Sequence, residues 1–372
     1  MTKKQRAITL LAASIALMGL CTVPSRAAQP PAAPLAPLNV NGRHVFWANG
    51  VRTVASSSPS DALNNLIYHG GAVQTAPKVY LTFWGKEWSD PSSAAYTIPV
   101  KDPTGKNYTL GRLRTYLTNL FTGIGGTGWN NIQTQYCQGG QIGDLSCASS
   151  KGRVTNTAKV LAGTWTDTLV ADEPGPVIDT LGLVENISTD PVATEALKAS
   201  KHFNSTDTNA TFFVFAPPGR VVTGSQPFGA YCGYHSEVTP ASGAAHGLRY
   251  AFIPYILDAD LSQTSAIAGC GMNFVNKTNT VAGNGVFDGF SMVSGHEYAE
   301  AVTDPDAWPT QDGWNDIQTS ENGDKCAWIA PSSPPTQGQS ANLTLRTGKF
   351  AMQSMWSNAF AKGTGGCVMT YP

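Results

Sequence analysis

The sequence predicts an α/β protein, a single domain in which helices pack on a mixed β-sheet and disulfide bonds stabilise the fold. Segments rich in β-branched and aromatic residues alternate along the chain with segments whose apolar residues recur at helical spacing. The chain also begins with an export signal, and six cysteines follow that signal. An even number of cysteines is typical of exported, disulfide-bonded proteins.

Residues 1–28 have the features of a secretory signal peptide. Basic residues precede an apolar stretch at 8–20, and small residues suited to signal peptidase follow at 25–28. The apolar stretch is too short for a membrane span, which needs about 20 residues. A lipoprotein signal is the alternative because of Cys21, although Leu20 is unsuitable just before a lipidated cysteine. A secreted or periplasmic location is therefore predicted.

Residues 29–39 are rich in proline and alanine, which favours an extended linker. No later linker is evident, so residues 40–372 are predicted to form one globular domain. The net charge is −1 and only 13% of residues are charged. This composition offers no basic patch for nucleic acid. No segment after the signal is long and apolar enough to span a membrane.

The helices and strands follow from local patterns. The predicted strands are 79–84, 158–164, 211–216 and 250–256, the last ending near an edge or bulge because of Pro254. The predicted helices are 110–121, 191–201 with Asp190 as N-cap, and 290–303 with Asp288 as its cap. Residues 349–356 fit either a strand or a short helix.

The cysteines are predicted to form three disulfide bonds, with free catalytic thiols as the alternative. Six cysteines allow 15 pairings, and the sequence alone does not choose among them. Proximity along the chain favours Cys137–Cys147, Cys232–Cys270 and Cys326–Cys367.

The helix at 290–303 carries the clearest candidate chemistry. His296 and Glu300 are four residues apart and therefore share one helix face. An imidazole and a carboxylate placed in this way suit a divalent cation, zinc foremost. Glu297 occupies the position of the general base in an HExxH metallopeptidase helix. The alternative is a hydrogen-bonded helix pair without a metal.

A metal site needs a third ligand, and Glu321 or Asp324 is predicted to supply it. A site so rich in carboxylates could also hold manganese, iron or calcium. His235 and His69 are possible accessory residues, with structural histidines as the alternative. The remaining histidines have no supporting context: His44, His202 and His246.

Four segments in the same order resemble the exordium-like, phosphate-induced protein family. They are Tyr68–Gly71 with Val79–Lys86, Tyr231–Ser236, His296–Glu300 with Thr303–Pro305, and Glu321–Cys326. Two departures are Tyr298, where that family has leucine, and Asp304, where it has asparagine.

The resemblance implies a secreted or cell-wall protein whose biochemical activity is not settled. It also implies joint importance for the acids and the histidine of the last two segments: His296, Glu297, Glu300, Glu321 and Asp324. Asp304 is less expected as a metal ligand because relatives carry an amide there.

Two functions of different classes fit these observations. The first is a secreted metal-dependent hydrolase, most simply a peptidase, that uses Glu297 as general base. The alternative is a non-catalytic extracellular or cell-wall-associated protein that binds or signals. The expected partner is an extracellular peptide or a glycan. Tryptophans near the candidate site could contact a sugar or simply pack: Trp308, Trp314 and Trp328.

Overall fold

A computed structural model describes most of the chain after residue 38. The described ranges are 39–40, 43–49, 65–148, 151–168, 190–219, 231–238, 247–262, 269–277, 285–306, 312–332 and 337–371. The predicted signal peptide, the predicted linker up to residue 38, and Trp308 lie outside these ranges.

The described residues form strands, helices and short 3-10 turns. The strands are Asn39–Val40 (β1), Arg43–Trp47 (β2), Ile67–Tyr68 (β3), Lys78–Trp84 (β4), Thr97–Lys101 (β5), Asn107–Thr109 (β6), Leu161–Asp167 (β7), Ala210–Phe215 (β8), Tyr231–Val238 (β9), Leu248–Ile253 (β10), Trp314–Asn315 (β11), Ala341–Leu345 (β12), Gly348–Met352 (β13), Met355–Ser357 (β14) and Gly366–Val368 (β15). The helices are Leu110–Gly123 (α1), Pro191–Phe203 (α2), Leu257–Ser262 (α3), Asp288–Thr303 (α4) and Phe360–Gly363 (α5). The 3-10 turns are Lys86–Trp88, Ala94–Tyr96, Asn130–Gln135, Gly285–Phe287 and Asp324–Cys326.

The main sheet has seven strands in the order β1-β2-β9-β10-β8-β4-β7. The four strands from β10 to β7 are parallel to one another. The strands β9, β2 and β1 add to this half in antiparallel fashion. The prediction of a mixed sheet is therefore confirmed.

Helices cover both faces of the sheet, and the side chains of β8 show why. Phe213 and Phe215 point to the face that holds α1 and α4, and they join the larger of two buried apolar clusters. Phe212 and Val214 point to the opposite face, where α2 packs. Successive side chains of a strand alternate between faces, so a fully apolar strand can serve two cores.

Several predicted elements differ in detail from the structure. The strand predicted at 158–164 begins three residues later, at Leu161. The strand predicted at 250–256 is internal to the sheet and ends at Ile253, because Pro254 has no N–H to continue a ladder. Asp288 is the first residue of α4 and not its cap. Its carboxylate instead accepts the backbone N–H groups of Val275 and Asn276.

The three disulfide bonds that proximity favoured are confirmed: Cys137–Cys147, Cys232–Cys270 and Cys326–Cys367. The second joins β9 to a loop that precedes α4, and the third joins the 3-10 turn at Asp324–Cys326 to β15. Covalent links therefore restrain two elements that contribute to the site described below. Such bonds fit an oxidising compartment. None of the helices in the described ranges combines the length and the hydrophobicity of a membrane span.

Candidate metal centre

The helix α4 is buried along its whole length, and the side chains of His296, Glu297 and Glu300 therefore lie inside the protein. Every residue from Asp288 to Thr303 is buried, including His296, Glu297 and Glu300. Burying such groups without partners is costly, so the surroundings must satisfy them. The close approach of β9 depends on Gly233, where a Cβ atom would lie 2.7 Å from Glu297 Oε1.

His296, Glu300 and Asp324 converge on one point. His296 Nε2 lies 2.9 Å from Glu300 Oε2 and 3.9 Å from Asp324 Oδ1. Ligand atoms around a tetrahedral zinc ion with bonds of about 2.0–2.1 Å are about 3.3 Å apart. The two observed separations fall on either side of this value. All three side chains are buried, and their ligand atoms lie within 4.8 Å of one another.

The tautomer of His296 leaves Nε2 available for a cation. Its Nδ1 lies 3.3 Å from the side-chain oxygen of Gln353, and Gln353 Nε2 donates to the carbonyl of Gly323. The amide oxygen therefore faces the ring, which favours the tautomer with the proton on Nδ1. His296 Nε2 makes no hydrogen bond within the described part of the chain, although it is buried. A metal-binding histidine typically donates its other ring N–H to an acceptor that fixes the orientation of the ring in this way.

Asp324 is positioned by its own backbone and by the loop before it. Its backbone N–H donates to Glu300 Oε1 at 2.9 Å, and its Oδ2 accepts the backbone N–H of Glu321 at 3.1 Å. The 3-10 turn that begins at Asp324 aims the remaining oxygen, Oδ1, at His296. One hydrogen bond thus fixes the backbone of Asp324 and the other fixes its carboxylate.

Glu297 projects from α4 towards β9. Its Oε2 lies 3.1 Å from His235 Nδ1, and its Oε1 has no hydrogen-bond partner among the described residues. His235 Nδ1 is also 3.8 Å from Glu300 Oε2, which belongs to the first group of ligands. One oxygen of Glu297 is therefore oriented by an imidazole and the other is available for chemistry.

Glu321 lies in a different group from the one formed by His296, Glu300 and Asp324. Its Oε2 is 2.8 Å from His44 Nδ1, and its Oε1 is 3.6 Å from His235 Nε2. The sequence left Glu321 and Asp324 as alternative third ligands. The structure places Asp324 beside His296 and Glu300, and it places Glu321 with the other two histidines.

Sequence reasoning missed His44 and placed His235 only among the accessory residues. The two face each other in the register of β2 against β9, and their rings stack with centroids 4.6 Å apart. Alternation in β2 turns His44 and Phe46 towards α4, where Phe46 stacks on His296. That alternation was visible in the sequence, but the pairing of β2 with β9 was not. His69 lies beside Asn315 and belongs to none of the described ligand groups.

Burial moves the pKa values of these histidines and acids in opposite directions. Burial lowers the pKa of His296 to about 4. The pKa of His235 falls well below its usual value, because the ring is buried and close to His44. Burial and then the neighbouring carboxylates raise the pKa values of Glu297 and Glu321 well above their usual range. The rings of His235 and His296 are thus held neutral, in the form that binds metals, while Glu297 and Glu321 favour protons or a cation.

Replacing Gly323 by alanine is expected to weaken zinc binding by about 10–100-fold, the range for disturbing groups that support metal ligands. The backbone φ of −78° at Gly323 suits alanine, so the effect is steric. An added Cβ would lie 2.7 Å from both His296 Nδ1 and Glu300 Oε1. Competition with a chromogenic zinc chelator measures the affinity. Gly111→Ala is the control, because its Cβ would meet the hydroxyl of Tyr96 instead. Equal zinc affinity in the Gly323 variant and the wild type would contradict this assignment.

Without a bound cation, the protein is expected to be less stable at about pH 8.5 than at about pH 6.5. The folded-state pKa values of Glu297 and Glu321 are raised above their unfolded values, and burial raises that of Asp304 to about 7. Groups of this kind stabilise the folded state at low pH, and that stabilisation is lost as the pH rises through the folded pKa. The lowered pKa of His296 has the opposite effect, since it makes the stability rise with pH. This effect is confined to pH values below the unfolded-state histidine pKa of about 6.5. Urea unfolding of chelated protein across this range measures the trend.

Saturating zinc is expected to reduce this loss of stability, because a cation takes the place of the protons. A chelated protein that is equally stable at both pH values would contradict the raised folded-state pKa values of Glu297, Asp304 and Glu321.

The donor set fits a divalent transition metal, since it combines imidazole nitrogen with carboxylate oxygen in a buried position. A scan against protein-family models, a search of curated proteins and a search of solved structures each gave no match. The function is therefore inferred from the geometry of the centre.

Proposed function

We propose that the protein is an exported, metal-dependent hydrolase, most simply a peptidase. The proposal is carried by the convergence of His296, Glu300 and Asp324 next to Glu297. Glu297 Oε1 makes no hydrogen bond to any described residue. A general base next to a three-ligand cation site is the arrangement of hydrolytic metal centres.

Each residue has a distinct role in this proposal. His296, Glu300 and Asp324 hold the cation. A bound divalent cation polarises a carbonyl group and makes water more acidic, which promotes hydrolysis at neutral pH. Glu297 accepts the proton of the attacking water through Oε1 and returns it to the leaving group. The cation favours the ionised form of Glu297 that this role requires. His235 is a positioning residue, because its Nδ1 holds the other oxygen of Glu297 at 3.1 Å.

An aromatic wall supports a substrate that presents an apolar side chain or a sugar ring. Phe46 stacks on His296 with ring centroids 3.7 Å apart, and Trp328 stacks on Phe46 at 4.9 Å. Phe274 packs edge-on against Trp328. Phe46 is buried, whereas Trp328 and Phe274 are partly exposed, so the wall leads from the centre towards solvent. We favour an extracellular peptide as the substrate. We also propose that the chain is a member of the exordium-like family.

The second candidate is a non-catalytic extracellular protein whose cation only stabilises the fold. Its supporting observation is the burial of the centre, in which His296 and Glu297 have no exposed surface and Glu300 has 2%. A structural site is closed, whereas a catalytic site keeps an open coordination position for water or substrate.

Removal of the metal separates the two functions. Dialysis against a chelator is expected to abolish hydrolysis of fluorogenic casein, and one equivalent of zinc per catalytic site is expected to restore it. Zinc that raises the unfolding temperature without any hydrolysis would favour the structural role. A protein that binds no divalent cation would overturn the proposed function.

A further inference from the structure

A second group of ligands lies next to the first. His44, His235 and Glu321 are buried, and their ligand atoms lie within 4.8 Å of one another. Two buried atoms in this group, His44 Nε2 and Glu321 Oε1, make no hydrogen bond in the described ranges. Unpartnered buried polar atoms are rare in folded proteins and call for an explanation. Neither His44 nor Glu321 has a role in the proposed hydrolysis.

The surroundings of His235 point to a positive partner at its Nε2. Nδ1 faces Glu297 Oε2 at 3.1 Å, and Nε2 faces both the carbonyl oxygen of Asp304 at 3.1 Å and Glu321 Oε1 at 3.6 Å. A neutral imidazole donates from one nitrogen only. With Glu297 ionised, as its role as general base requires, Nδ1 donates to that carboxylate and the lone pair of Nε2 faces two oxygens with no proton between them. A cation at Nε2 removes this conflict. The hydrogen bond from Nδ1–H to Glu297 then orients the ring, as a carboxylate commonly does for a metal-binding histidine.

Charge balance points the same way. The centre holds four buried carboxylates: Glu297, Glu300, Glu321 and Asp324. Among the charged neighbours that act on Glu321, the strongest are all acids, namely Glu300, Asp304 and Asp324. When the four acids are ionised, one divalent cation leaves two negative charges uncompensated in the interior, and a second cation balances them. Buried charges without compensation are strongly unfavourable.

We propose that His44, His235 and Glu321 bind a second divalent transition-metal ion beside the first. Two imidazoles and one carboxylate suit zinc, cobalt or iron better than calcium or magnesium. The two sites are linked by the backbone N–H of Glu321, which donates to Asp324. The inference extends the proposed function, since it makes the centre a pair of adjacent metal sites.

Metal counting tests the second site without any assay of activity. The full chain is stripped with a chelator, reloaded with Co²⁺, desalted and analysed for cobalt per chain. We expect two equivalents for the wild type and for His202→Asn, a control in which the replaced ring stacks on Trp165 away from the centre. We expect one equivalent for Glu321→Gln and for His44→Asn. The unfolding temperature of each stripped variant shows whether the fold is intact. If His44→Asn misfolds, the near-isosteric Glu321→Gln still tests the second site.

The outcomes separate this inference from the proposed function. Wild-type cobalt content in both Glu321→Gln and His44→Asn would overturn the second site. If those two variants kept wild-type cobalt and Asp324→Asn lost one equivalent, the first site and the proposed hydrolase would stand. The reverse result, with loss only in Glu321→Gln and His44→Asn, would support the second site and overturn the first. No bound cobalt in the wild type would overturn both.

Discussion

Glu297→Gln is expected to lower kcat by about 10²–10⁴-fold, the usual contribution of a general base. Glutamine has nearly the shape of glutamate but cannot accept the proton of the attacking water. In the structure, Glu297 Oε2 faces His235 while Oε1 is buried without a hydrogen bond from the described residues. Hydrolysis of fluorogenic casein by the zinc-loaded variant measures the effect.

Zinc content provides the matched control for this variant. Glu297 is not among the three ligands of the first site, so Glu297→Gln is expected to keep that zinc ion. A variant that retains both its zinc and its wild-type kcat would show that Glu297 is not the base. A variant that loses zinc together with activity would assign Glu297 to cation binding instead.

His296→Ala is expected to weaken zinc binding at the first site by more than about 100-fold and to abolish hydrolysis. A loss of this size exceeds that for residues which only support a ligand. His296 Nε2 is the ring nitrogen nearest both Glu300 and Asp324 in that site, and Nδ1 is held by Gln353. Titration of chelated protein with zinc, followed by competition with a chromogenic chelator, measures the affinity.

His69→Ala is the matched control for this experiment. His69 is a histidine of the same chain that belongs to neither of the two ligand groups. Its replacement is expected to leave the zinc affinity unchanged. Equal affinities in the His296 and His69 variants would remove His296 from the site.

The parts of the fold and site that depend on local sequence were predictable. The helix predicted at 290–303 corresponds to α4, and the spacing of His296 and Glu300 placed both on one face of it. The disulfide pairs followed chain proximity because each closes a short or moderate loop.

The parts that depend on distant contacts were not predictable. The choice between Glu321 and Asp324 is made by a 3-10 turn and by a hydrogen bond to Glu300, neither of which has a sequence pattern of its own. His44 reaches the centre only because β2 pairs with β9, nearly two hundred residues away in sequence. Register between distant strands is set by packing of the whole sheet and not by the strand itself.

Anomalous X-ray diffraction from crystals of the zinc-loaded protein, measured at the zinc absorption edge, locates the bound cation. We expect an anomalous peak within about 2.0–2.2 Å of His296 Nε2 and of a carboxylate oxygen from each of Glu300 and Asp324. An interior without such a peak at these three side chains, or zinc found only on the surface, would contradict this expectation.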